Sequence, residues 1–185
     1  MWDDKEVNSF CTDEFIAMCR KVGAEPIIVV KIGTANWNPD DQDHDFLQEA
    51  LDWIEYCNGP ADSEWGKRRA ANGLAEPYGV KYWEIDNETW HMGAEAYAAA
   101  VNRVGPAMRK ADPTIKLIAC GSGGYSQPWN RTVINAAGKN FDYISTLHYE
   151  SPQNYATGPA RDEQFYRELK QIIDDGPNPD MKVYC

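Results

Sequence analysis

The sequence lacks any apolar run approaching the 18 residues of a membrane-spanning helix, so no transmembrane segment and no membrane partner is predicted. Positive charge is also scarce: 18 Lys and Arg stand against 29 Asp and Glu, a formal net charge of -11. With no basic stripe to offset that balance, a nucleic-acid partner is not predicted. Histidines number only 3 and sit in unrelated contexts, and the 5 cysteines (Cys11, Cys19, Cys57, Cys120, Cys185) include no C-x-x-C. Buried free thiols are therefore expected, with no zinc site. The acidic run Asp40, Asp41, Asp43, His44, Asp45 lacks the fixed glycine and terminal Glu of a calcium loop and reads as a solvated loop. Gly121-Ser122-Gly123-Gly124 follows an apolar run, but no G-x-G-x-x-G or Gly-Lys-Ser/Thr is present, so a nucleotide site is a remote alternative. Met1 to Glu6 has no apolar core of a signal peptide.

What is present is enough chain, 185 residues, for one substantial core, and aromatics in quantity: 7 Trp and 10 Tyr. Such rings serve α/β cores and sugar-binding clefts alike. Apolar runs at 27–32, 80–85, 115–120, 142–147 and 181–185 read as strands of a parallel sheet, each neighboured by a helical pattern. Thr12 is the expected cap of a first helix with Phe15, Ile16, Met18, Cys19 and Val22 on its apolar face. A second helix is expected over 45–57, stopped by Asn58 and Gly59, a third over 94–111 with Tyr97, Val101, Val104 and Met108 inward, and a last over 161–175. A short helical piece begins at Trp129. Residues 60–79 show no periodicity and read as a long ordered loop or insertion, in which Arg68 and Arg69 anchor to carboxylates. Taken alone, five strands with helices between them suit a small open α/β sheet.

The most informative stretch is Val80-Lys81-Tyr82-Trp83-Glu84-Ile85-Asp86-Asn87-Glu88-Thr89-Trp90. It alternates as a strand does and ends in a carboxamide and a carboxylate, followed by aromatics and a helix. That is how an α/β barrel presents chemistry at the C-terminal ends of its strands. His148, polar at the end of an otherwise apolar strand, is read as a second cleft residue, the alternative being a ring satisfied by a loop carbonyl.

These residues carry a family resemblance. Lys-Tyr-Trp-Glu-Ile-Asp-Asn-Glu-x-Trp resembles the acid/base strand of the α-L-arabinofuranosidases of glycoside hydrolase family 51, which are retaining (β/α)8 enzymes. Support comes from Cys19 to Pro26 before the first strand, from Trp53-Ile54-Glu55-Tyr56-Cys57-Asn58, and from Ser63, Gly66, Arg69, Ala70 and Gly73. Of the family pattern Asp-x-x-Ser-x-His-x-Tyr the sequence keeps Asp142, Ser145 and His148, with Tyr149 and Glu150 where an aromatic pair is common. The sequence departs from the family at Lys31, where an asparagine is usual nearby, and at Asp86, where glycine is usual.

The resemblance implies a TIM-barrel fold of which residues 1–185 are an incomplete piece, strands three to seven. It implies retaining hydrolysis of terminal α-L-arabinofuranosyl residues, with an arabinofuranosyl oligosaccharide or polysaccharide as partner and no cofactor. Glu88 is then the catalytic acid/base and Asn87 the partner of the sugar's 2-hydroxyl. Trp90, His148 and Tyr149 are further substrate-binding candidates, Ser122 and His91 weaker ones. The nucleophile, a glutamate at the end of the seventh strand, is expected just beyond Cys185. The piece alone is expected to be inactive, poorly soluble or only partly ordered, and its longer parent is allowed to be a homo-oligomer. Localisation stays open between cytoplasm and secretion. Asn87 and Asn130 head formal glycosylation sequences, Asn87 being expected to be enclosed. Competing readings are another retaining glycosidase of the same barrel group, such as a β-xylosidase or an endoglucanase, and a non-catalytic carbohydrate-binding protein.

Overall fold

The computed structural model describes residues 9–32 and 44–185. The described helices are α1 (Thr12–Lys21), α2 (Phe46–Asn58), α3 (Glu64–Ala71), α4 (Ala94–Ala111), α5 (Gln127–Ala137) and α6 (Gly158–Asp174). The strands are β1 (Ile27–Val30), β2 (Tyr82–Ile85), β3 (Lys116–Ala119), β4 (Tyr143–Ser145) and β5 (Lys182–Tyr184). They form one parallel sheet in the order β1-β2-β3-β4-β5. Strand order that follows chain order without reversal is the winding of a barrel, whereas a doubly wound sheet reverses at a switch point.

The two faces of the sheet confirm this. Ile28, Val30, Trp83, Ile85, Leu117, Ala119, Ile144 and Val183 belong to the core shared with the helices. The opposite parity, Val29, Tyr82, Glu84, Ile118, Tyr143 and Ser145, faces away from the helical layer, as interior barrel positions do. The described helices therefore cover one face only. The chain folds as an arc of a (β/α) barrel rather than as a small open sheet.

Tyr97 of α4, fully buried, ties two strand ends together. Its hydroxyl donates to the Ile85 carbonyl at 2.6 Å and accepts from the Cys120 amide at 2.7 Å. Tyr97→Phe would leave both backbone groups unpaired in a dry core, and a loss of about 1–3 kcal/mol is expected in urea unfolding. A change below a few tenths would show that the bridge contributes nothing.

Several local expectations are corrected. Cys11, not Thr12, caps α1, its amide donating to Glu14 at 2.9 Å, while the Thr12 hydroxyl accepts from the Trp53 indole at 3.1 Å. The 60–79 stretch is not an aperiodic loop, since it holds α3, capped by Ser63. A Cβ on Gly66 would lie 1.9 Å from the Pro60 carbonyl oxygen, so only glycine fits that first turn. Among the described residues Arg69 pairs with no carboxylate. It is fully buried and donates to the carbonyls of Tyr56, Gly59, Leu74 and Ala75 at 2.5 to 3.3 Å. Arg68 lies over the Trp65 ring, 4.0 Å from its centroid. α6 starts at Gly158, three residues before the expected start. Cys19, Cys57 and Cys120 are buried free thiols as expected, whereas Cys11 and Cys185 are exposed. The readings of Met1 to Asn8 and of the acidic loop up to Asp43 lie outside the described residues.

Candidate active site

The strand ends converge on the loop that follows β2. The Asp86 amide continues the ladder, donating to the Val30 carbonyl at 2.8 Å. The chain then turns through two left-handed residues, Asp86 at φ 58° and Glu88 at φ 55°. Non-glycine residues rarely occupy this region, and when they do strain clusters at functional sites. The position of Asp86 is one where glycine is at ease. Here the aspartate offsets its own strain with local hydrogen bonds, its carboxylate accepting from the Ile32 amide at 3.2 Å and the Asn87 amide at 2.9 Å. It thereby pins the end of β1 to the loop that carries Asn87 and Glu88.

Glu88, Trp90, Ser122, Gly123, Gly124, Ser126, Trp129, Leu147 and Tyr149 line a cleft of ≈ 490 Å³. The two indoles are fixed as walls: Trp90 donates to the Gly121 carbonyl and Trp129 to the Cys120 carbonyl, both at 2.9 Å. A Cβ on Gly123 would meet the Trp90 ring at 2.7 Å, so the ring lies directly against that glycine. Ser122 is 1% exposed and engaged by Asn130, which accepts from its amide at 2.8 Å and donates to its hydroxyl at 3.0 Å. Its role is to hold the β3–α5 loop. Asn87, expected to be enclosed, is exposed, and Asn130 is fully buried.

A larger cleft of ≈ 950 Å³ runs among α1, α2 and α3 and includes Trp53, Tyr56 and Trp65. It shares no residue with the strand ends, and size alone does not make it the reaction site.

Of the sequence-predicted residues, the structure brings Glu88, Trp90 and Tyr149 into one cleft, with Asn87 exposed on the same loop. It does not bring His148 there. The alternation of β4 continues past Ser145, so Leu147 and Tyr149 face the cleft while Thr146 and His148 face α6. The pattern Asp-x-x-Ser-x-His-x-Tyr, counted strictly from Asp142, puts its histidine at Leu147 and its tyrosine at Tyr149. His148 is one residue late. Leu147 was missed for that reason, although strict counting would have found it.

Two acidic groups near the cleft have displaced pKa values. Glu84, on the interior face four residues before Glu88, is pushed up by burial and to a lesser degree by Asp86, with the Ser145 hydroxyl opposing. Glu150 is held down, chiefly by the Tyr125 hydroxyl, with Arg161 and His148 adding to it. The Cys120 thiol beside the loop is raised to about 11 by burial, which makes it a poor nucleophile. No group of three or more metal-ligating side chains occurs among the described residues.

Comparison with known proteins bears on this site. The family model described as the alpha-L-arabinofuranosidase 1 domain matches residues 1–170. The intracellular exo-alpha-(1->5)-L-arabinofuranosidase of Bifidobacterium longum is 35% identical over 173 residues, covering 88% of this chain and 29% of that protein. Alpha-L-arabinofuranosidase C of Emericella nidulans is 38% identical over 129 residues, covering 66% of this chain and 24% of its own length. Among solved structures, the alpha-L-arabinofuranosidase of Thermotoga maritima, in complex with arabinose, superposes with a TM-score of 0.82 at 35% identity, covering 98% of this chain and 38% of that one. The chain thus spans roughly a quarter to two fifths of the relatives it matches.

Proposed function

This chain belongs to the α-L-arabinofuranosidases of glycoside hydrolase family 51, and on that premise we propose that it supplies the acid/base half of a retaining arabinofuranosidase site. The observation that carries the reading is the cleft at the strand ends where Glu88 stands beside Trp90 and Tyr149. The longer hydrolase, of which residues 1–185 form part of the catalytic barrel, completes the site. Its substrates are glycosides with terminal α-L-arabinofuranosyl residues.

Retention needs two carboxyl groups about 5–5.5 Å apart across the anomeric carbon. In the proposed mechanism Glu88 protonates the departing glycosidic oxygen while a second glutamate attacks the anomeric carbon. Glu88 then takes a proton from the water that releases the sugar. Glu84 is a poor candidate for the second carboxylate. It lies within β2, before the chain turns at Asp86, and it is buried on the interior face rather than presented at the rim. By resemblance to the family, the nucleophile is assigned to a glutamate at the end of the seventh barrel strand of the longer hydrolase. Asn87, presented on the same strained loop, is assigned the sugar's 2-hydroxyl, and Trp90 and Tyr149 its ring faces.

The reading is tested by assaying the longer hydrolase on the nitrophenyl α-L-arabinofuranoside, β-xyloside and β-glucoside. Preference for the arabinofuranoside supports it, and preference for either pyranoside contradicts it. Asn87→Ala is expected to slow formation of the glycosyl-enzyme by roughly 10²-fold or more, since a 2-hydroxyl contact that tightens in the transition state is worth several kcal/mol. Pre-steady-state release of nitrophenol measures that step, and a near-normal burst rate would remove Asn87 from the role.

A further inference from the structure

Behind the cleft wall, on the α6 side of residues 147–150, lies a packed charged cluster that the proposed reaction does not use. His148 Nε2 is 3.4 Å from Glu150 Oε1 and 3.2 Å from Asp162 Oδ1. Both ring nitrogens are shut off from solvent, and Nε2 faces both carboxylates. The Tyr125 hydroxyl reaches Glu150 and also lies 3.1 Å from Asp162 Oδ1. Arg161 Nη1 is 3.2 Å from Glu150 Oε1, and its guanidinium lies 4.2 Å above the Tyr125 ring. The His148 and Tyr125 rings meet at a tilt of 58°, their centroids 4.1 Å apart. Glu150 also packs on the start of α6, where a Cβ on Gly158 would come within 3.1 Å of its Cγ. Three segments are joined in this way: the β3–α5 loop, the β4–α6 loop and the first turns of α6.

The arrangement matters because of what lies between the anchored residues. Tyr149 is 84% exposed, so little packing of its own fixes it, yet its two sequence neighbours are both held in the cluster. Leu147, on the other side of His148, is held by the bridge to Gly123 and by its carbonyl, which accepts from the Gly124 amide at 2.8 Å. We propose that His148 is a positioning residue: pinned between Glu150 and Asp162, it sets Tyr149 and Leu147 as a wall of the Glu88 cleft and contributes to sugar binding without touching the sugar. The functional part of this inference rests on the arabinofuranosidase reading.

The test is a double-mutant cycle in the longer hydrolase with His148→Ala and Tyr149→Ala. Each single change is expected to raise KM about tenfold with kcat little altered, and the double variant to be no worse than Tyr149→Ala alone, because both act through one wall. His148→Gln, which can still donate to a carboxylate, should recover much of the loss. Multiplied effects in the double variant, or a fall in kcat at constant KM, would overturn the proposal. Asp162→Asn removes the α6 partner without altering residues 147–150 and should reproduce the KM effect if His148→Ala does not fold. Hydrogen exchange reads the clamp whatever the enzyme hydrolyses. Amides of residues 147–150 should exchange about tenfold faster in His148→Ala while α4 is unchanged, and equal protection in both proteins would refute the clamp even if the arabinofuranosidase assay succeeds.

Discussion

Glu88→Ala in the longer hydrolase is expected to lower kcat/KM on arabinan oligosaccharides by about 10²–10⁴-fold, the usual worth of a positioned proton donor. On an activated aryl arabinofuranoside the loss in the glycosylation step should be far smaller, because a nitrophenolate leaves without protonation. The contrast between substrates matters more than either loss alone. A side chain that merely shaped the cleft would slow both alike. Glu88 sits on a loop with left-handed φ values at Asp86 and Glu88, which the Asp86 hydrogen bonds to Ile32 and Asn87 hold in place. Equal losses on both substrates would remove the acid/base role.

Arg69→Ala is expected to cause a large loss of stability, about 3–5 kcal/mol, the scale of two or more hydrogen bonds from a charged donor lost in a buried setting. Four carbonyls, at the end of α2 and in the turn after α3, now accept from one guanidinium with no exposure to water. Each would be left unpaired. Arg69→Lys should not rescue the protein, because one ammonium cannot reproduce a planar fork spread over four acceptors. Urea unfolding measures both variants. A lysine variant within about 1 kcal/mol of the parent would show that charge, not geometry, is what the site requires.

These residues also show what could be read from the sequence and what could not. The β strands and α2, α4 and α6 announce themselves through apolar runs and helical periodicity, because their buried faces are made of apolar side chains. α3 does not. Its buried residues are Gly66 and Arg69, one with no side chain and one charged, so no apolar period exists to detect. The spacing Ser63, Gly66, Arg69 was legible only as a family pattern, and the structure supplies the reason for it: a cap, a close approach and a carbonyl clamp. Asn58 is similar. Read as a helix stop, it also clips the chain entering β2, exchanging hydrogen bonds with Val80 at 2.7 and 2.8 Å.

At the cleft, Glu88, Trp90 and Tyr149 come together because each follows a strand at the same end of the sheet; the sequence singled them out through the family motifs. The direction of His148 was not read correctly, since its polarity at a strand end drew attention from the alternation that carries Ser145, Leu147 and Tyr149 to one face. Tyr125 and Asp162, from two other segments, could not be linked to it by sequence at all. The left-handed turn at Asp86 was hidden for a different reason. Backbone conformation of that kind is signalled by glycine, and this chain has an aspartate there.

The account depends most on Glu88 as the acid/base of a retaining site. The direct measurement is to incubate the Glu88→Ala hydrolase with an aryl α-L-arabinofuranoside and azide and to determine the product by NMR. Without its base the glycosyl-enzyme should accumulate, and azide, which needs no deprotonation, should attack it from the face that water would use. Faster turnover and an α-L-arabinofuranosyl azide are predicted. No acceleration by azide, or an azide of inverted configuration, would contradict the assignment of Glu88.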